Sequence, residues 1–476
     1  MNQNRKILLA PQSYEARSKA ATGQRLVNMY AELNPEGSKF PFTLYGAPGL
    51  KEFVDLGTNK GINGMRVLGG VLYAFSDGKA YTVTEGAVVT GPLTGEITGT
   101  LGRLDLSDNG QEITAITIDH EGFVIDGTGI TKITDGDFPL SSAVTFLDGY
   151  TIVSKYNSGQ FNISSLYDSS SYDALEFATA EEKPDNLVRP YAFDGSLWLF
   201  GESSYEVYYN SGNQDFPFAP VDGASSTSRG LAAKHSVAED DNTLVFLGND
   251  RIIYKLEGYT AKRISNHALE RILQSYAIIS DAFGFIFTMD GHKFYVLTFP
   301  QEQKTWVIDL ETLFVHERSS REGNTFTRWR PNCFVNFAGK NLVGDYINGK
   351  IYEIDPATFV EGEEYIQRLI QGTALWKDGH RFINDYLRLD IDAGEGLADG
   401  QGEDPQVMMR FSDDGAKSWS NELWRSFGKI GETNKQVVYR QLGQTQSGQR
   451  IYEWVINDPV KVAIHGAYWD GRLCRA

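Results

Sequence analysis

One pattern recurs seven times along this chain: a short apolar strand, a tight polar turn, and a second apolar strand. It reads FSDGKAYTV (Phe75–Val83), VIDGTGITKI (Val124–Ile133), VSKYNSGQFNI (Val153–Ile163) and LFGESSYEVYY (Leu199–Tyr209). It continues as FLGNDRIIYKL (Phe246–Leu256), TMDGHKFYVL (Thr288–Leu297) and DYINGKIYEI (Asp345–Ile354). The turns fall roughly 45 residues apart, the period of a four-stranded propeller blade. The pattern predicts an all-β chain with a β-propeller of seven blades, six being the alternative. A propeller is a scaffold and leaves function open.

The propeller is expected over 61–364, behind an extended segment over 1–60. In that segment FTLYG (Phe42–Gly46) and KEFVDLG (Lys51–Gly57) read as strands. One of them is expected to pair with the last blade, closing the ring and removing its exposed edge. Blade one reads well over Gly64–Leu93 and blade four over Pro190–Val221. In blade two no fourth strand is evident after Ile133. One helix interrupts the pattern: NHALERILQSYAI (Asn266–Ile278) puts Leu269, Ile272, Leu273 and Tyr276 on one face, with Asn266 as N-cap. It is expected to pack on the propeller's rim.

Past Glu364 the rhythm changes to long alternating strands: DYLRLDID, QVMMRFSDD, RIYEWVI and VKVAIHGAYWD. The segment 365–476 therefore reads as an antiparallel β-sandwich. It holds five of the eight tryptophans. Its 15 acidic and 14 basic residues nearly cancel, while the residues before it carry 47 acids and 30 bases. Aromatics are enriched at interfaces and dense charge is depleted there. Trp376, Trp419, Trp424, Trp454 and Trp469 are thus candidate partner-binding residues, with Leu269 and Tyr276 of the helix.

The overall charge of −18 argues against gripping nucleic acid, because such a surface repels phosphates. Two cysteines, Cys333 and Cys474, make no disulfide framework and suit a reducing compartment. The apolar run Ile7–Ala10 is too short for a signal-peptide core, and no stretch is long enough to span a membrane. Assembly in a cytoplasm without membrane contact is the expectation.

Motifs that resemble chemistry read as turns. SDDGAKSW (Ser412–Trp419) resembles the Asp-box hairpin of sialidase-type propellers, a structural turn, with Ala416 where glycine is usual. GDYINGKI (Gly344–Ile351) has phosphate-loop spacing, but Ile351 replaces the Ser/Thr and Asn348-Gly349 is a hairpin turn. The seven histidines form no i, i+4 pair, so neither a metal nor a cofactor is expected. No nucleophile elbow is present, and no catalytic residue can be singled out.

Several segments carry a family resemblance: RLVNMYAELNPEGS (Arg25–Ser38), GAPGLKEF (Gly46–Phe53), GSLWLFGESSYEVYYNSG (Gly195–Gly212), SRGLAAKHSV (Ser228–Val237), HALERILQSY, and IYEWVINDPVKVAIHGAYWD (Ile451–Asp470). In this order they resemble the packaged-DNA stabilization proteins of short-tailed bacteriophages, also called tail accessory or tail hub proteins. The resemblance implies a structural virion protein in the phage tail, assembled in the host cytoplasm as a ring of identical subunits, commonly six. It implies portal and adaptor proteins above the ring and needle or fibre proteins below. DNA would pass through without specific binding and be retained by the assembled tail. No enzymatic activity is implied. The rival reading is a carbohydrate-active or carbohydrate-binding propeller, a glycosidase or lectin. That reading requires a deep central pocket with paired carboxylates.

Overall fold

The computed structural model describes residues 5–7, 9–19, 22–180, 183–226, 228–323, 325–376 and 380–474. Strands dominate it, and the α-helix among the described residues, His267–Ser275, is nine residues long. No described helix is long and apolar enough to cross a membrane.

Among the described residues, seven four-stranded antiparallel units follow one another, the last completed by a strand from the N-terminal region. Five are separate sheets, spanning 62–90, 105–132, 141–179, 187–226 and 238–263. The sixth (283–322) and seventh (331–355) are parts of larger sheets. Side chains alternate across each blade, so both faces must be apolar. Ser196–Gly201 (SLWLFG) shows how this works. Leu197 and Leu199 pack with Ile152 and Phe161 of the preceding blade, while Trp198 and Phe200 pack with Leu244 and Phe246 of the following one. Likewise Leu72 and Ala74 join Leu342 and Ile351 of the last unit, and Tyr73 and Phe75 join Ile113 and Phe123 of the second. Each unit shares a core with the next, and the seventh with the first, so the stack closes on itself.

The closing strand comes from the N-terminal region. Gly49–Asp55 is the fourth strand of the last unit, antiparallel to Lys350–Asp355 with Asp55 opposite Lys350 and Gly49 opposite Asp355. The second unit also differs in detail from the sequence reading. Its last strand is Ile130–Lys132, which ends before Ile133, and its first is Asp105–Asp108. Three- and four-residue strands are too short to stand out in the hydropathy pattern.

The other early strands leave the propeller. Met29–Leu33 and Phe42–Gly46 form one sandwich sheet with Ala463–Leu473, Phe382–Ile391 and Val437–Arg440, and Arg5–Ile7 also pairs with Ala463–Leu473. The facing sheet contains Gly23–Val27, Arg368–Gln371, Gln449–Ile456, Gln406–Ser412 and Leu423–Ser426. Between the sheets lies a core of Leu26, Met29, Leu44, Ile370, Leu387, Met409, Trp454 and Trp469 with their neighbours. The second sheet does not stop at the sandwich. Gly23–Val27 pairs in parallel with Val315–Glu322, the outer strand of blade six, at Val27 and Glu317. One twelve-stranded sheet therefore runs from propeller to sandwich.

Candidate functional site

The structure divides the seven candidate partner residues into two groups. Trp454, Trp469, Leu269 and Tyr276 are buried in cores, which corrects their reading as contact residues. Trp454 lies in the inward-facing row Leu26–Ile370–Trp454–Met409 across the second sandwich sheet. The Trp469 indole N–H donates to Asn384 Oδ1 at 2.7 Å, and the Tyr452 hydroxyl donates to the same atom at 2.8 Å. A buried indole N–H usually finds such a partner, although that of Trp454 has none among the described residues. Leu269 and Tyr276 fill the seam between blades five and six, where the Trp306 indole N–H donates to the Tyr276 hydroxyl at 3.0 Å. The Asn266 side chain caps that helix by accepting from the Leu269 N–H at 2.8 Å.

Trp376, Trp419 and Trp424 belong to the opposite, outer side of the second sandwich sheet. Residues paired across antiparallel strands share a face, and alternate residues along a strand do too. Trp424 faces Met408, which faces Val455, then Leu369, then Val27. This apolar row is partly covered by Phe326 of the hairpin that extends blade six. Beside it runs a charged row, Arg410–Glu453–Gln371–Arg25. Trp376 is paired with Gln449, two pleats further along the same face. Trp419 covers the row's end, its ring 4.8 Å from the Arg410 guanidinium. Trp376 is 66 % exposed and Trp424 47 %.

The charged row is held internally. Arg410 donates to Glu453 at 2.6 Å, and Arg25 makes a two-bond fork on Glu317 at 2.7 and 3.0 Å. Burial works against the Glu317 carboxylate, yet the hydrogen bonds and charges of Arg25 and Lys304 hold its pKa below the ordinary value. Glu453 lies in the other direction, pushed up by burial against the pull of Arg410. The result is a face whose charged row is paired internally and whose margins carry aromatic side chains. Sequence reasoning missed Phe326, Met408 and the Arg25–Glu317 fork. The alternation in QVMMRFS separates Met408 and Arg410 from the core residues Val407 and Met409, but choosing the outer set needs the sheet partners.

A second exposed apolar group lies on the propeller, where the blades turn from second to third strand and from fourth to the next first. Ile118, Leu140 and Tyr156 are exposed there, with His120 stacked on Tyr156 at 3.7 Å. These residues occupy turns, where periodicity carries no signal.

The chemical look-alikes are turns. Asp414 closes the SDDGAKSW turn, accepting from the Lys417 and Ser418 N–H groups at 2.9 and 3.0 Å, with Ala416 at φ 64°. GDYINGKI is a hairpin between Lys340–Asp345 and Lys350–Asp355. Among the described residues no three His, Cys, Asp or Glu side chains converge as a metal site. His316 is buried beside Arg318 and His292 and is pulled down to about 3. The Cys333 thiol, also buried, is pushed up to about 12.

A propeller joined through a continuous sheet to a sandwich, with an aromatic-edged outer face, defines a two-domain all-β class of molecule. The chain belongs to the bacteriophage P22 Gp10 family, the packaged-DNA stabilization or tail-hub proteins. Its residues 14–359 match the family's β-propeller and residues 367–471 its β-sandwich. No curated protein sequence matches the chain. Similar solved structures include the computationally designed Ika8 protein at 11 % identity, covering 64 % of this chain and 99 % of that one, with a TM-score of 0.41. The WD40 β-propeller domain of Doa1 matches at 11 % identity over 65 % and 96 %, TM-score 0.39. Streptogramin B lyase matches at 13 % over 64 % and 96 %, TM-score 0.42. These three are too distant to bear on function.

Proposed function

We propose that copies of this chain form a ring, six in number, in the tail of a short-tailed phage, between the portal and adaptor above and needle or fibre proteins below. The ring lengthens the DNA channel and helps keep the packaged genome inside. It does this as an architectural part, without catalysis. The observation that carries the reading is the match of both family domains, in order, over nearly the whole chain. Two features support it. The single twelve-stranded sheet makes propeller and sandwich mechanically one piece, which suits a load-carrying ring. The outer face bearing Trp376, Trp419 and Trp424 is available for contact between copies or with tail proteins. Against the carbohydrate reading, Asp105 at the propeller's axis is bonded to Arg189 at 2.9 Å and sits among cations. Asp108, further along the axis, is likewise bonded to Arg66 at 2.6 Å, whereas glycoside hydrolysis uses two carboxyl groups turned towards the substrate.

The test is a phage lacking a functional copy of the gene. Its heads should fill and then lose their DNA, leaving nuclease-sensitive genomes, and complementation should restore full particles. Image reconstruction of complemented virions should place six copies below the portal. Stable, DNA-filled particles without the protein would refute the retention role. Exchanging Trp376 and Trp424 for serine should leave a folded protein that enters particles poorly.

A further inference from the structure

The propeller's axis holds a cluster that the architectural role does not use. It is built at the end where the first strands of the blades begin. Arg103 lies just before Asp105–Asp108 of blade two, and Arg189 within Leu187–Phe193 of blade four. Lys234 and His235 precede Ala238–Asp240 of blade five, and Arg328 precedes Pro331–Phe337 of blade seven. Side chains from distant blades meet across the ring. The Arg103 guanidinium stacks on Phe283 of blade six at 3.7 Å and donates to the Asn332 carbonyl of blade seven. Lys234 Nζ donates to the Ser142 carbonyl of blade three at 2.6 Å. Arg328 lies 3.8 Å over the Tyr346 ring and also faces Phe283.

The Asp105 carboxylate contacts Arg189 at 2.9 Å and His235 at 3.9 Å and also lies near Arg103 and Lys234, while Arg328 neighbours Arg103 on its other side, with Asp281 and Asp345 as its own acidic neighbours. The next layer along the axis holds the Arg66–Asp108 pair at 2.6 Å and Glu239. The cluster's positive charge is under-compensated. Burial and the neighbouring guanidiniums of Arg328 and Arg189 pull Arg103 down to about 10, and Lys234 and His235 are pulled down as well. Donors are also left over. Arg328 is 6 % exposed and its Nη1 has no hydrogen-bond partner among the described residues, nor does the buried Nε of Arg189. Water still reaches the cluster, because the side chains of Arg189 and His235 keep 11 % and 20 % of their exposure.

A buried, under-compensated positive charge is costly unless a further anion answers it, even in a chain of net charge −18. Guanidinium forks match tetrahedral oxyanions. We propose that this axial cluster binds a small free oxyanion of the phosphate class, held by Arg103, Arg189, Lys234 and Arg328. The phosphates of a DNA duplex are not the ligand, because the side-chain bridges from Lys234 to Ser142 and from Arg103 to Phe283 cross the axis.

Equilibrium dialysis of the full chain against labelled inorganic phosphate tests this. One saturable site per chain is expected, emptied by sulfate but not by chloride or by duplex oligonucleotide. Arg328→Gln and Lys234→Gln should each weaken it by about tenfold, the size of a lost charge-assisted hydrogen bond, with the circular dichroism spectrum unchanged. Should either variant fail to fold, tungstate soaked into wild-type crystals should give its density at the axis. No saturable uptake by the wild type would overturn the proposal. So would unaltered uptake by both folded variants, displacement by duplex DNA, or tungstate density only elsewhere.

Discussion

The Asp414 turn shows how one side chain can hold a local structure. Besides its two backbone donors, the carboxylate accepts from the Ser418 hydroxyl at 2.6 Å and the Ser412 hydroxyl at 2.7 Å. The Ser418 hydroxyl and N–H, followed by the Ser412 hydroxyl, hold the Asp414 pKa well below the ordinary aspartate value. A depressed carboxyl pKa stabilises the fold above the unfolded-state value, and that stability is lost as pH falls towards the native one. Asp414→Asn should therefore lower the melting temperature at neutral pH, and the gap should narrow below about pH 4. A gap of constant size from neutral to acidic pH would show that the charge is not what matters. In the same turn Ala416 sits in the left-handed region, where a Cβ costs roughly 1–2 kcal/mol. Ala416→Gly should recover part of that in urea unfolding, less the entropy glycine adds to the unfolded chain.

Among the elements, the closing strand is the most exposed to single changes. A Cβ on Gly49 would lie 2.4 Å from the Val360 carbonyl oxygen and 2.5 Å from that of Thr358. Those are backbone atoms and cannot swing aside. The Gly49 N–H also donates to the Thr358 carbonyl at 2.7 Å. Gly49→Ala should cost about 1–3 kcal/mol, the range for forced overpacking, read as a lower urea midpoint. A wild-type midpoint would mean that the strand end can move. The junction between propeller and sandwich leads to a second expectation. Removing 365–476 strips Gly23–Val27 of Arg368–Gln371 and Phe42–Gly46 of Ala463–Leu473. Leu26, Met29 and Leu44, all buried in the intact chain, lose their cover. The truncated chain should aggregate, and recovery of a soluble monomer would show that the early strands can fold back on the propeller.

For the whole molecule, charge distribution governs behaviour towards DNA. The residues before Tyr365 carry 47 acids against 30 bases, and the proposed ring would multiply that field. At physiological salt the field is screened beyond about 8 Å, so repulsion acts at contact and not at range. The isolated protein should show no measurable binding of duplex DNA in fluorescence anisotropy at that salt. Tight, salt-sensitive binding would contradict this reading, because it requires a basic track on the surface. The axial cations do not supply one, since the side chains that cross the channel shut a duplex out.

The seven-fold pattern was enough to establish an all-β propeller, because blades packed on both faces need apolar residues at successive strand positions. It could not assign the turns to blade positions. Five of the repeated turns join second to third strands, whereas Asp126–Gly129 joins third to fourth and Asp290–Gly291 joins first to second. The same turn residues serve every hairpin, so the motif marks a hairpin without saying which one, and the spacing scatters. The change of rhythm after Glu364 and the cap at Asn266 were legible for the same local reason. Decisions that join distant segments were not. Tryptophan content marked the sandwich, but only the sheet partners separate Trp454 and Trp469 in the core from Trp376 and Trp424 at the surface. The early strands Met29–Leu33 and Phe42–Gly46 carry the same apolar character as Gly49–Asp55, yet the first two join the sandwich and the third closes the ring. Strand pairing across more than 300 residues depends on which edges are left open once the rest has folded. The axial cluster is the extreme case. Arg103, Asp105, Arg189, Lys234 and Arg328 are scattered through the chain, and only closure of the ring brings their charges together.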